Sequence, residues 1–241
     1  MPAPSFREAR SAKPNPKPGK AIVAQNLVRH FDNGLVHALD GVDLEISQGE
    51  KVAIMGPTGC GKSTLLHILA LLDQPDGGSL WMDGRPADSI RPAEAWRAHR
   101  VGIIFQLHHL LSYLTAEENV RLALTGCSLS RCDQHQRVRS ILEHIGLRGR
   151  AGTYAAKLSG GERQLTAVAR ALVRKPALVL ADEPTGSVDS STGQEILRLI
   201  FEHGRHHNAT VILVTHDAEV AERADRRIVM KDGRIVRDDA P

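Results

Sequence analysis

Nine consecutive residues, Gly56-Pro57-Thr58-Gly59-Cys60-Gly61-Lys62-Ser63-Thr64, form a glycine-rich turn that closes on a lysine and two hydroxyls. Between a strand and a helix, such a turn curls successive backbone N–H groups around a phosphate, and the helix N-terminus adds positive potential. Lys62 is placed to neutralise β- and γ-phosphate charge, and the Ser63 hydroxyl to take one position on Mg²⁺. Further along, Leu178-Val179-Leu180-Ala181-Asp182-Glu183 is an apolar run tipped by two carboxylates. Paired acids at a strand tip are ordinarily just solvated. After a phosphate loop they read differently: Asp182 can orient Mg²⁺, and Glu183 can act as general base towards an attacking water.

The surrounding pattern supplies elements to hold these groups. Residues 21–31 and 42–46 alternate apolar and polar positions, as antiparallel strands do. The run 51–55 leads into the glycine turn, and 65–72 has helical character. Residues 101–105, 178–181 and 210–214 read as buried strands, with helices expected at 115–124 (Thr115 as N-cap), 134–145, 161–175 and 191–202. Strands alternating with helices imply an α/β fold whose parallel sheet is covered on both faces. The stretch from about 107 to 175 lacks a strand signal and reads as a helical insertion. No internal repeat is evident.

Composition narrows the class. With 241 residues, 41% hydrophobic and 24% charged, the chain can bury a sizeable core. No apolar run approaches the roughly 18 residues of a membrane-spanning helix, and no N-terminal apolar segment suggests a secretory signal. Three cysteines are too few for a disulfide scaffold, and Cys127 and Cys132 lack partners at zinc spacing. The net charge of +3 is concentrated at the start, where Arg7, Arg10, Lys13, Lys17 and Lys20 face only Glu8. A nucleic-acid binder carries its basic charge on the folded domain, so no nucleic-acid partner is expected. Residues 1–20 also hold Pro2, Pro4, Pro14, Pro16 and Pro18. They read as a disordered, solvated leader, with weak attraction to anionic lipid, about 1 kcal/mol per basic residue, as the other reading.

Leu158-Ser159-Gly160-Gly161-Glu162, together with the phosphate loop, resembles the signature of ATP-binding-cassette (ABC) ATPases. Other pieces fall in that family's order. Phe31 stands where the family stacks an aromatic on adenine. Gln106 stands where it has a loop glutamine that contacts Mg²⁺ and the reacting centre. Ser187-Val188-Asp189 lies where it has its D-loop, and His216 where it has its switch histidine. The resemblance runs from about Ala21 to Arg237. It implies a P-loop NTPase (RecA-like) core with an antiparallel β subdomain and an inserted helical subdomain. It also implies ATP and Mg²⁺ as ligands, with Gly56 to Thr64, Phe31, and Ser159, Gly160, Gly161 and Glu162 on the nucleotide. Ser63, Gln106 and Asp182 would be on the metal, and Glu183, His216 and Gln106 in hydrolysis. Two nucleotides would be sandwiched between head-to-tail subunits, with integral membrane permease subunits as separate chains. The expected location is the cytoplasmic face of the inner or plasma membrane.

Residues 68–75, 105–111 and 114–120 resemble the lipoprotein-releasing and macrolide-export group. Phe31 for the commoner Tyr, Glu162 for Gln, Leu165 for Arg and Val188 for Leu depart from the usual pattern without removing a catalytic group. The same residues bear on other functions. A DNA-maintenance ATPase would carry coiled coils or zinc insertions between Gly56 and Ser159, where neither heptads nor Cys pairs occur. A GTP switch protein would carry a guanine-reading Asn/Thr-Lys-x-Asp stretch, and a non-hydrolysing or regulatory cassette would lack Glu183 or His216. His203, His206 and His207 read as a polar, water-exposed helix end rather than a metal site. Trp81 and Trp96 read as packing residues, and His108 and His109 as a polar loop at a partner-facing groove.

Overall fold

The computed structural model describes residues 18–239. Residues 1–17 of the leader expected at 1–20 lie outside them. The chain opens with β1 (Lys20–Phe31), β2 (Val36–Ser47) and β3 (Lys51–Met55), followed by α1 (Lys62–Leu69). Then come β4 (Gly77–Met82), the short β5 (Arg85–Pro86), α2 (Ala93–Arg100) and β6 (Val101–Ile104). Three helices follow, α3 (Ala116–Leu122), α4 (Arg131–His144) and α5 (Gly160–Leu172). The last third holds β7 (Leu178–Asp182), α6 (Ser190–His207), β8 (Thr210–Val214), α7 (Ala218–Ala221), β9 (Arg226–Lys231) and β10 (Arg234–Asp239).

These strands form two sheets. One is antiparallel in the order β2-β1-β4-β5; the other runs β10-β9-β3-β8-β7-β6, parallel except for the edge strand β10. Alternation along the central strands divides the core. Leu178, Leu180, Ile212, Val214, Val52 and Ile54 face one side, packing with α1 and the antiparallel sheet. Val179, Ala181, Val211 and Leu213 face the other, packing with α3, α4, α5 and α6. A sheet buried on both faces reads as continuous apolar sequence, which is why these strands were visible.

The differences from expectation have local causes. Strands β4, β9 and β10 and helix α2 carried no clear signal: β4 starts at Gly77-Gly78, and α2 buries no residue fully. Helix α1 starts three residues earlier than expected, on Lys62, because the glycine turn itself supplies its N-cap. Lys20, assigned to the leader, is the first residue of β1, with its ammonium 3.3 Å from Glu45. Thr115 does cap α3, in a capping box with Glu118. Between Gln106 and α5 the described residues hold no strand, only an isolated bridge between Thr115 and Tyr154. Trp81 is buried and Trp96 packs against the core.

One reading is corrected. His203 is 8% exposed, not solvated, and its Nε2 lies 3.0 Å from the Pro176 carbonyl. The helix α6 runs five residues past the expected end, so position 203 falls on the same stripe as the buried Leu199 and Ile200. Burial lowers the imidazole pKa. His206 and His207 are exposed.

Candidate functional site

The parallel arrangement decides where chemistry can occur, because parallel strands all end on the same edge of the sheet. Strands β3, β8, β7 and β6 are neighbours in that order. Their C-terminal ends lead to the phosphate loop, to His216, to Asp182 and Glu183, and to Gln106, respectively. Residues far apart in sequence thus share one rim, where open α/β sheets bind ligands.

The phosphate loop is built by close backbone approach. A Cβ on Gly56 would fall 2.2 Å from the Met230 carbonyl oxygen, and one on Gly61 2.1 Å from that of Ala38. Both glycines also have positive φ, 151° and 101°, so side chains are excluded on two counts. Gly61 caps α1 without a side-chain hydrogen bond, leaving the first-turn N–H groups of the helix facing the loop. Lys62 is only 8% exposed; its ammonium donates to the carbonyls of Gly56 (2.8 Å) and Pro57 (2.9 Å), with Cys60 Sγ at 3.9 Å. Ser63 and Thr58 are exposed and Thr64 half-buried.

At the neighbouring strand tips, His216 Nδ1 lies 2.8 Å from Glu183 Oε1. A carboxylate only accepts, so the ring donates. Glu183 has φ +46°, a turn held by its own N–H donating to the Val214 carbonyl at 3.0 Å. Its other oxygen, Oε2, has no hydrogen-bond partner among the described residues. Gln106 is exposed on the adjoining loop, close enough that a Cβ on Gly186 would sit 3.7 Å from its Nε2. Ser63, Gln106 and Asp182 offer side-chain oxygens with no hydrogen-bond partner among the described residues. A hydroxyl, an amide and a single carboxylate suit a hard cation such as Mg²⁺, which completes its shell with water and phosphate oxygens.

The second glycine motif is organised differently. Ser159 caps α5: its Oγ accepts the Glu162 N–H (3.2 Å), while Glu162 Oε2 accepts the Ser159 N–H (2.8 Å). The Ser159 N–H, reinforced by the Ser159 hydroxyl and Arg150, holds the Glu162 carboxyl below its ordinary pKa. Asp189 caps α6 by accepting from Ser191 Oγ and from Thr192, which depresses its pKa strongly. Thr192 in turn abuts Gly161. Among the described residues no hydrogen bond joins 159–162 to 56–64. Strand β6, on which α5 packs, lies three strands from β3, about 14 Å at sheet spacing.

Phe31 ends β1 and is 39% exposed, outside both core clusters. It pairs with Val36, two residues along β2 from Ala38, whose carbonyl lies against Gly61 of the phosphate loop. Leu165 packs against the core with no ionic contact. Two residues escaped the sequence reading. Gln164 is fully buried, and its Nε2 donates to the Pro184 carbonyl (2.8 Å) and, more weakly, to that of Phe105 (3.5 Å), tying α5 to both the Glu183 and the Gln106 loops. Its only signal was an amide on the apolar stripe of a helix. Arg170 donates to the carbonyls of His109 (2.6 Å) and His108 (2.7 Å), fixing the loop after Gln106. Both histidines have positive φ there, and burial, followed by the nearby Arg163 and His109 charges, lowers the His108 pKa.

Comparison with known proteins converges on this arrangement. A family profile described as ABC transporter matches residues 39–186. The lipoprotein-releasing system ATP-binding protein LolD of Bordetella avium is 44% identical over 220 residues, covering 90% of this chain and 96% of that protein. The macrolide export ATP-binding/permease protein MacB of Agrobacterium fabrum is also 44% identical, over 90% of this chain but 34% of its own length. Among solved structures, the ATP-binding cassette MJ0796, a dimer in a post-hydrolysis state bound to ADP and Pi, superposes with a TM-score of 0.85 at 35% identity, covering 91% of this chain and 98% of that one.

Proposed function

The chain belongs to the family of ABC transporter ATP-binding proteins, and on that premise we propose how this one works. It is an ATP-hydrolysing subunit that powers a membrane transporter of the lipoprotein-release or export type. The observation that carries the catalytic reading is the 2.8 Å contact between Glu183 and His216 on the rim shared with the phosphate loop. His216 orients the carboxylate through Oε1, which leaves Oε2 to take a proton from an attacking water. Lys62 and the amides of Gly59 to Thr64 hold the phosphates, and Phe31 carries the adenine. Ser63, Gln106 and Asp182 hold Mg²⁺, which would offset charge on the β- and γ-phosphates.

The amides at the start of α5 act on the nucleotide of a second copy. The roughly 14 Å between β3, which leads into the phosphate loop, and β6, on which α5 packs, supports assigning the two glycine motifs to different nucleotides, as does the dimeric state of the MJ0796 cassette. No helix among the described residues is long and apolar enough to cross a membrane. LolD is named as the ATP-binding protein of a lipoprotein-releasing system, and by that likeness the permease subunits are separate chains. Leu107, Leu111, Tyr113 and Tyr154, all exposed around the loop after Gln106, form the surface offered to that permease at the cytoplasmic face. ATP moves the transporter by binding the closed dimer better than the open one.

The test is Glu183→Gln. It keeps the size, removes the base, and removes like charge facing the phosphates. Hydrolysis should fall by roughly 10²–10⁴, and light scattering should find a monomer without nucleotide and a dimer with ATP. Adding Ser159→Arg should abolish that dimer while each chain still binds ATP. Normal hydrolysis by Glu183→Gln would refute the base, and ATP-bound monomers throughout would refute self-assembly of the shared site.

A further inference from the structure

One face of the Phe31 ring is already covered. The guanidinium carbon of Arg29 lies 4.8 Å from the ring centroid, within the range of a cation–π contact. The two side chains share a face of β1 because residues two apart in a strand point the same way. The guanidinium is itself held by the turn that follows α1. Its Nε and Nη2 donate to the two carboxylate oxygens of Asp73 (3.1 and 3.0 Å), and Nη1 donates to Asp76 (2.7 Å). The other Asp76 oxygen accepts the backbone N–H of His30, the residue between Arg29 and Phe31, at 2.7 Å. The Asp76 N–H in turn donates to the Val28 carbonyl at 2.8 Å. Isolated surface ion pairs contribute little. A planar fork shared by two carboxylates, one of them tied to the backbone of β1, fixes a direction as well as a charge.

We propose that Arg29 is a positioning residue for the nucleotide base: clamped by Asp73 and Asp76, it backs one face of Phe31 and presents the other to adenine. The inference rests on the stacking role given to Phe31 above. A phenyl ring at the exposed end of a strand has freedom to reorient, and stacking must remove it. A fixed cation behind the ring removes that freedom before the nucleotide arrives. The cation also draws electron density from the ring, so the open face repels an electron-rich purine less. Recognition of the base thus extends from β1 to residues 73–76, on the far side of α1 from the phosphate loop.

The experiment compares ligands with and without a base, using the full chain: ATP and inorganic tripolyphosphate, each with Mg²⁺, by equilibrium calorimetry. Arg29→Gln should weaken ATP binding about two- to five-fold, the span of an exposed cation–π contact, and leave tripolyphosphate binding as in the parent. Its KM for ATP should rise by the same factor while kcat at saturation holds. In a Phe31→Ala background, Arg29→Gln should cost nothing further. Arg29→Lys, which keeps a cation but lacks the fork, should recover part of the loss, and it carries the same comparison should Arg29→Gln fail to fold. Equal weakening of both ligands, or an undiminished loss in the Phe31→Ala background, would overturn the role of Arg29. Parental ATP affinity in Phe31→Ala alone is a different outcome: it would sink the stacking reading and, with it, Arg29 as its support.

Discussion

Two helices of this protein begin on glycine-rich motifs, and they are finished in opposite ways. Helix α1 starts from Gly61, which has no side chain to cap it, and its first-turn N–H groups look into a loop closed by the buried Lys62. Helix α5 starts from Ser159, whose capping box with Glu162 satisfies two N–H groups from within the chain, with Arg150 bracing the carboxylate. Orphan amides at a helix start attract anions. At α1 they are left open beside a fixed ammonium, so the loop and its charge are assembled within one chain. At α5 the capping pair makes a stable, exposed helix start that holds its shape whether or not an anion is near. The first motif is built to bind, and the second to be presented.

Breaking each motif should therefore give different losses. The largest belongs to Lys62→Ala, which removes a buried charge from the phosphate loop. MgATP affinity should drop roughly ten- to hundred-fold, the range of hydrogen bonds to charged groups, measured by calorimetry on a protein whose circular dichroism is unchanged. Parental affinity in a folded Lys62→Ala protein would place the phosphates elsewhere.

Ser159→Ala should act on stability and hydrolysis while sparing ATP binding by the single chain. Loss of a serine cap costs about 0.5–2 kcal/mol, to be read from urea unfolding. The capping box also carries a pH signature. Glu162 titrates below its ordinary value of 4.5 in the folded chain, so its contribution is present above that value and fades as pH falls through the lower folded pKa. Glu162→Gln should flatten that part of the stability profile. An unchanged acid limb would show that the box contributes no net stability.

The smallest effect sharpens the picture of the loop as an enclosed cradle. Cys60 is 4% exposed and lies against Gly56 and Lys62, whereas Cys132 is exposed. Iodoacetamide should modify Cys132 well before Cys60, and ATP should slow only the reaction at Cys60, as followed by peptide mass spectrometry. Equal rates at the two thiols would mean that the loop opens freely in solution.

How much of this was legible in the sequence depended on whether the signal was local. The phosphate loop and the Thr115 cap are short patterns whose residues act on their own backbone, so spacing was enough to read them, whereas the Asp182-Glu183 tip took its reading from the phosphate loop before it. Strands buried on both faces announced themselves as apolar runs. By contrast β4 is glycine-led and β9 and β10 are rich in charge, and they form because an edge was available to pair with. His203 was misread because burial of a helix end depends on how far the helix continues and on what packs over it.

The residue types of the site and their order along the chain were determined by the sequence itself, since glycine, lysine, hydroxyl and carboxylate each have a fixed chemical repertoire. Their convergence was decided by tertiary structure. Only the strand order β3-β8-β7-β6 places His216 between the phosphate loop and Glu183, because parallel neighbours end on one rim whatever their separation in the chain. The same holds for Gln164 reaching the Pro184 carbonyl and for Arg29 clamped by Asp73 and Asp76 behind Phe31. Each of these polar side chains looks unremarkable in a one-dimensional pattern. Its role comes from the acceptor that the packed chain brings opposite it, because a hydrogen bond or a cation–π contact depends on distance and direction.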